Sequence, residues 1–179
     1  AQVIYTSTAE INEETFTSNK GITYDISECN LRGRHNQSNI AQAIEALESI
    51  GLKKRAVESG ISTFQGLAHR LEFVANVDGV DYINDSKATN IDSVWYALDA
   101  MKKPIVWIVG GIDKGNDYSI LSELVRNKVR WMICMGLENQ KLIDMFGHEV
   151  EGYDEAGSAQ EAVLKAQKAA TSGDVVLLS

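Results

Sequence analysis

Proline is nearly missing from this chain of 179 residues: Pro104 stands alone, where average usage of about 5% would give about nine. No proline-rich or other low-complexity stretch is present. With an opening on Ala1 and an ending on Ser179 directly after an apolar run, this gives the expectation that the chain is a piece of a longer protein. Cysteine is also scarce. Cys29 and Cys134 are too few for a disulfide framework and lack metal-type spacing. Cys134 sits in an apolar run, where a buried, inert thiol is expected, and the pattern fits a reducing compartment. No apolar run reaches the ~18–20 residues of a membrane helix, and no basic segment followed by an apolar one opens the sequence as a signal peptide would. Positive charge is in deficit, 17 basic against 25 acidic residues for a net −8, so nucleic-acid phosphates are repelled. CxxC, HExxH and a Ser-His-Asp arrangement are all missing. So are GxxxxGK[ST] and GxGxxG, which excludes a triphosphate cradle within this sequence.

What remains is an ordinary globular composition, 44% apolar and 23% charged, which excludes extensive disorder. A chain of this length buries about 70% of its extended surface, enough for one core or two small ones. Residues 1–34 read as short strands and loops, AQVIYTSTAEI and GITYDISE. A helix follows, with Asn36 or Ser38 as its cap, Ile40, Ala43, Ile44, Leu47 and Ile50 at helical spacing, and Gly51 ending it. A second short helix over 53–59 leads into the loop TFQGLAHR, and the pattern places a domain boundary at 64–68. LEFVANV and VDYIN are β-rich runs joined at Asp78-Gly79, a strong hairpin signal. Helices are then expected over 91–101, 118–127, 138–146 and 158–170. They alternate with strands over 105–109, 131–135, near Val150 and over 175–178. PIVWIV, WMICM and VVLL are apolar on both sides of the pleat, as strands covered on both faces require. The alternation predicts an α/β fold with a mostly parallel sheet, to which the hairpin adds one antiparallel strand.

Ligands of open α/β sheets bind beyond the carboxyl ends of strands. Two such ends, on strands expected to be neighbours, are chemically rich. VDYIN runs into Asp85, Ser86, Lys87, Ala88, Thr89 and Asn90; PIVWIV runs into GGIDKGND, which carries Lys114. Each places a lysine and polar groups near a helix start, where free N–H groups favour anions. The plainer alternative is that Asp85, Ser86 and Thr89 are helix caps and GGIDKGND a connection. A third cluster, LRGRHNQSN, brings His35, Asn36 and Asn39 to a helix start, where asparagine amides suit a purine edge. Asn36 as a simple cap is again the alternative. His69-Arg70 precedes the hairpin, and a guanidinium there is either a phosphate ligand or a surface residue. His148 reads as a solvated loop residue, Trp95, Trp107 and Trp131 as core. The carboxylates of EALES, SELV and EVEGYDE read as solvated faces.

Taken in order and spacing, LRGRHNQSN, GLAHRLEFV, YINDSKATN, WIVGGIDKGNDY and GDVVLLS resemble the Mur ligases of peptidoglycan synthesis, over roughly residues 31–179. NDSKATN resembles the members that add D-glutamate to UDP-N-acetylmuramoyl-L-alanine. The resemblance implies three domains, with residues 1–67 the tail of a central P-loop ATPase domain. Residues 68–179 would be most of a C-terminal Rossmann-like domain. It implies ATP and Mg²⁺, with the magnesium ligands upstream of this chain. Asn36 and Asn39 would lie near adenine, Arg70 with His69 at the nucleotide phosphates, and Asp85 at the ribose hydroxyls. Lys87 and Thr89 would lie near the reacting phosphate and incoming amino acid, and Lys114 at a D-glutamate carboxylate. The catalytic assignments fall on Lys87, Arg70 and His69. The implied setting is the bacterial cytoplasm, a monomer acting on small molecules, with neither nucleic acid nor membrane as partner. These 179 residues alone are expected to be inactive. Two alternatives stand: a related ligase, folylpolyglutamate synthases included, adding a different amino acid, or a non-catalytic α/β binding module.

Overall fold

The computed structural model describes residues 11–111 and 115–179; most of the first expected strand, AQVIYTSTAE, lies outside them. The chain divides into two compact units, Ala1–Gly66 and Leu67–Ser179.

In the first unit, β1 (Thr15–Thr17) and β2 (Thr23–Asp25) form an antiparallel hairpin with Phe16 opposite Tyr24. Helices α1 (Arg34–Ser49) and α2 (Lys54–Thr63) follow. Phe16, Tyr24, Ile40, Ile44 and Val57 are among the residues of its core. Helix α1 starts earlier than expected. Gly33, at φ 89°, is the N-cap and supplies no side chain, so Asn36 falls in the first turn and donates from Nδ2 to the Arg32 carbonyl at 2.8 Å. The other end is as expected. Gly51, at φ 83°, donates to Glu48 O and Leu52 donates to Leu47 O, each at 3.1 Å, the paired bonds of a glycine-terminated helix.

The buried stripe of α1 differs from the apolar stripe in the sequence. Ile40, Ala41 and Ile44 are buried, but Glu45 and Glu48 continue the stripe at 5% and 6% exposure while Ile50 is 72% exposed. The carboxylates of EALES are therefore not a solvated face. Burial is tolerated because the hairpin brings donors to them. Ser18 Oγ and Tyr24 Oη donate to Glu48 Oε1 at 3.0 and 3.1 Å, and the Asn19 N–H donates to Glu45 Oε1 at 2.6 Å.

The second unit is built on β3 (Glu72–Val77), β4 (Val80–Asn84), β5 (Ile105–Val109), β6 (Val129–Cys134), β7 (Gly152–Glu155) and β8 (Val175–Leu178). The sheet order is β3-β4-β8-β5-β6-β7. Only the β3–β4 hairpin pair is antiparallel. Asp78 and Gly79 both have positive φ, 53° and 82°, the tight-turn geometry whose twist matches the strands. A Cβ on Gly79 would also lie 2.3 Å from Ser172 Oγ.

Helices α3 (Ile91–Ala100), α4 (Ser122–Lys128), α5 (Gln140–Phe146) and α6 (Ala159–Ala169) connect the strands. The helix expected over 118–127 is a 3₁₀ turn, Ser119–Leu121, running into α4, and the strand expected near Val150 starts at Gly152. Strand β5 is buried throughout. Its Ile105, Trp107 and Val109 join one cluster with Leu98 and Phe146, and its Val106 and Ile108 join another with Ala162 and Ala166. That two-faced burial is why PIVWIV carries no polar alternation.

Trp107 is fully buried, and Trp95 and Trp131 pack against the two clusters. Burial pushes the Cys134 thiol up to about 11, so it is protonated and unreactive at neutral pH. The EVEGYDE acids are partly engaged rather than simply solvated: Glu149 pairs with Arg126 at 2.6 Å and Asp154 accepts from Trp131 Nε1 at 3.0 Å.

Lys128 closes the carboxyl end of α3. Its Nζ donates to the carbonyls of Leu98, Asp99 and Met101 at 3.2, 2.6 and 3.0 Å, satisfying acceptors that a helix end otherwise leaves to water. Lys128→Met should lower stability by about 1–2 kcal/mol, read as an earlier urea midpoint with an unchanged slope.

Candidate functional site at the strand carboxyl ends

The two lysine-bearing loops leave the carboxyl ends of β4 and β5, but these strands are not neighbours. Strand β8 runs between them, which corrects the expectation of adjacent loops. Its end is stitched to both sides: the Asp85 N–H donates to Leu178 O at 2.8 Å, and the Ser179 N–H to Ile108 O at 3.1 Å.

The cap of α3 is Asn90, whose Oδ1 accepts from the Ser93 N–H at 2.8 Å. Asp85, Ser86 and Thr89 are thus not spent as caps. The Asp85 carboxylate is 8% exposed, and its Oδ1 accepts from the Leu71 N–H at 3.0 Å. Burial raises its pKa above the usual aspartate value, opposed by the Leu71 hydrogen bond and the Arg70 charge. Lys87 and Thr89 follow it in sequence and Arg70 precedes its donor Leu71; all three are exposed.

The segment preceding β3 is folded onto this loop. His69 and Leu71 both adopt positive φ, 65° and 45°, a backbone that non-glycine residues hold only when their surroundings enforce it. Several bonds do so. His69 O accepts from the Lys87 N–H at 3.1 Å, the His69 N–H donates to Glu72 Oε2 at 2.8 Å, and His69 Nδ1 faces Asn84 Nδ2 at 2.9 Å. Asn84 Oδ1 accepts from the Ser86 N–H at 3.1 Å, which fixes the amide orientation. Its Nδ2 is then placed to donate to His69 Nδ1. The structure thus gathers His69, Arg70, Asp85 and Lys87 at one end of the sheet. Lys114 lies outside the described residues. Asn36 and Asn39 belong to the first unit, where Asn39 Nδ2 donates to Asn36 Oδ1 at 3.3 Å.

The sequence reading missed Glu72 and Asn84, and it missed why the β5 loop opens with glycine. A Cβ on Gly110 would fall 2.3 Å from the Met135 carbonyl carbon, so only glycine lets the β5 and β6 loops pass. Beyond the loop, Asn116 O accepts from Lys141 Nζ at 2.7 Å, and that ammonium sits 5.0 Å from the centroid of the Tyr118 ring. Among the described residues no group of three or more His, Cys, Asp or Glu could hold a metal ion, so they do not by themselves fit a magnesium site.

A raised aspartate pKa has a definite sign in stability. The folded protein binds the Asp85 proton more tightly than the unfolded chain does, so ionisation lowers stability as pH rises through the carboxylate range. Asp85→Asn keeps an oxygen for the Leu71 N–H and removes the buried charge. It should therefore be more stable than the parent at pH 7, with the gain fading as pH falls below the carboxylate range, as urea unfolding at several pH values will read.

A buried carboxylate and exposed cations on the strand-end loops mark this as an α/β domain with a charged carboxyl edge, the edge at which open α/β sheets take their ligands. A family-wide profile described as Mur ligase, glutamate ligase domain, matches residues 69–179. The chain belongs to the Mur ligase family. It is 48% identical over 158 residues to a UDP-N-acetylmuramoylalanine–D-glutamate ligase of Cytophaga hutchinsonii, covering 88% of this chain and 35% of the relative. A Porphyromonas gingivalis protein of the same name is 42% identical over 177 residues, covering 97% and 39%. The chain thus spans somewhat over a third of the length of such relatives. Among solved structures, Mycobacterium tuberculosis folylpolyglutamate synthase complexed with ADP superposes with TM-score 0.70 at 15% identity, covering 92% of this chain and 41% of that one. MurF from Acinetobacter baumannii superposes with TM-score 0.68 at 16% identity, covering 92% and 38%. Both share the fold.

Proposed function

We propose that the protein carrying this chain is an ATP-dependent amide ligase that joins D-glutamate to UDP-N-acetylmuramoyl-L-alanine. The observation that carries this reading is the buried Asp85 just past the end of β4, which feels the Arg70 charge and is followed two residues on by exposed Lys87. The name borne by relatives at 42–48% identity supports the choice of substrates. Residues 1–67 are then the tail of the ATPase domain and 68–179 the C-terminal domain.

The chemistry begins with transfer of the ATP γ-phosphoryl group to the alanyl carboxylate, giving an acyl phosphate and ADP. The amine of D-glutamate attacks the acyl carbon, and the tetrahedral intermediate expels phosphate. Asp85 accepts hydrogen bonds from the ribose hydroxyls. Arg70, a fork of fixed charge, takes the nucleotide phosphates with His69 beside it. Lys87 and Thr89 offset charge on the transferred phosphoryl group and orient the amino acid. Lys114 pairs with a D-glutamate carboxylate, and Asn36 and Asn39 meet the adenine. Magnesium, held by residues upstream of this chain, supplies neutralisation of the phosphate charge. The protein works as a monomer in the bacterial cytoplasm, in the supply of cell-wall precursors.

Oxygen tracing tests the reaction class. With ¹⁸O in the alanyl carboxylate and the full-length protein, released phosphate should carry one labelled oxygen; unlabelled phosphate would rule out the acyl phosphate. The 179-residue chain alone has no phosphate loop and should release no phosphate from ATP above a protein-free control when both substrates are added.

A further inference from the structure

We propose that Asn84 is a positioning residue: with Glu72 it clamps the strained His69–Leu71 segment to the Asp85–Lys87 turn and so sets where Arg70, Asp85 and Lys87 stand. This rests on the nucleotide-site reading above.

Asn84 is the last residue of β4, and its amide is used at both ends. Oδ1 accepts from the Ser86 N–H at 3.1 Å and shapes the turn. Nδ2 lies 2.9 Å from His69 Nδ1 and 3.3 Å from Glu72 Oε2. Glu72, the first residue of β3, also accepts from the His69 N–H at 2.8 Å. These contacts join two pieces of chain fifteen residues apart. Directly alongside run the two bonds that connect the pieces through the main chain and Asp85: Lys87 N–H to His69 O, and Leu71 N–H to Asp85 Oδ1.

Two positive-φ residues flank Arg70, a conformation that relaxes unless it is enforced. Hydrophobic packing is a weak candidate for that enforcement, because His69 and Arg70 are exposed and of the segment only Leu71 is buried. The polar clamp is what remains. Asn84 and Glu72 need touch no ligand to matter: releasing them frees the segment that carries Arg70 and the acceptor and donor that hold Asp85 and Lys87.

The substitution Asn84→Leu keeps the Cγ-branched shape of the side chain and removes both ends of the amide. Two measurements test it. In the 179-residue chain, amide hydrogen exchange at Leu71 and Lys87 should speed up at least ten-fold, while exchange in β5 stays within two-fold. A residue that merely supported the fold would speed both or neither. In the full-length protein, the KM for ATP should rise about ten-fold, as for loss of one hydrogen bond to a charged group, with kcat changed far less. Asp85→Asn serves as the control for the site itself. If Asp85→Asn raises the KM for ATP and Asn84→Leu does not, the clamp is overturned and the site stands. If Asp85→Asn leaves it unchanged, the nucleotide-site reading fails, while the exchange result still decides the clamp: unchanged exchange at Leu71 and Lys87 overturns it.

Discussion

Lys114→Ala in the full-length protein should raise the KM for D-glutamate by about ten- to a hundred-fold, the range of a lost charge-assisted contact of ~1.5–3 kcal/mol, and leave the KM for ATP nearly unchanged. Lys114 lies in the loop that leaves β5, a strand buried along its whole length. The loop opens on Gly110, where close passage of the β6 loop excludes any side chain. In the sequence this loop is polar and glycine-rich, and its lysine is proposed to pair with a carboxylate ligand. Varying each substrate in turn decides the matter. A D-glutamate dependence untouched by the substitution would return the loop to a connection and leave amino-acid choice to Lys87 and Thr89.

The second large effect falls on ATP, and the same variant that should stabilise the fold should impair binding. Asp85→Asn retains the acceptor for Leu71 but loses the charge proposed to take the two ribose hydroxyls. The KM for ATP should rise about ten-fold, with D-glutamate dependence little altered, while the urea midpoint at pH 7 moves up. Opposite signs in the two measurements are the mark of a group held at a cost to stability for binding. If stability and ATP affinity fell together, Asp85 would be structural.

Much of this was legible in the sequence where the signal is local. Asp78-Gly79 marked the hairpin because a tight turn needs positive φ at both positions, and the structure has it. Gly51 marked the end of α1 for the same reason. The unbroken apolar run PIVWIV marked a strand covered on both faces. The insertion of β8 between β4 and β5 was not legible, since parallel pairing is set by long-range contacts that leave no local pattern. Glu45 and Glu48 misled because their burial depends on donors from a hairpin more than twenty residues away in sequence. In the site, Asp85 and Lys87 stood out as charges at a strand end, while Arg70, ahead of the hairpin, could equally be read as a surface residue. Asn84 and Glu72 did not, because an asparagine and a glutamate at strand termini look like any edge residues until the fold pairs them.

The most direct measurement of the central claim is the amino-acid dependence of product formation by the full-length protein, given ATP, magnesium and UDP-N-acetylmuramoyl-L-alanine. D-glutamate should yield the amide-linked product and stoichiometric ADP, with L-glutamate, glycine, L-alanine and L-lysine at background. Product with another of these amino acids in preference to D-glutamate, or none with any of them, would contradict the account.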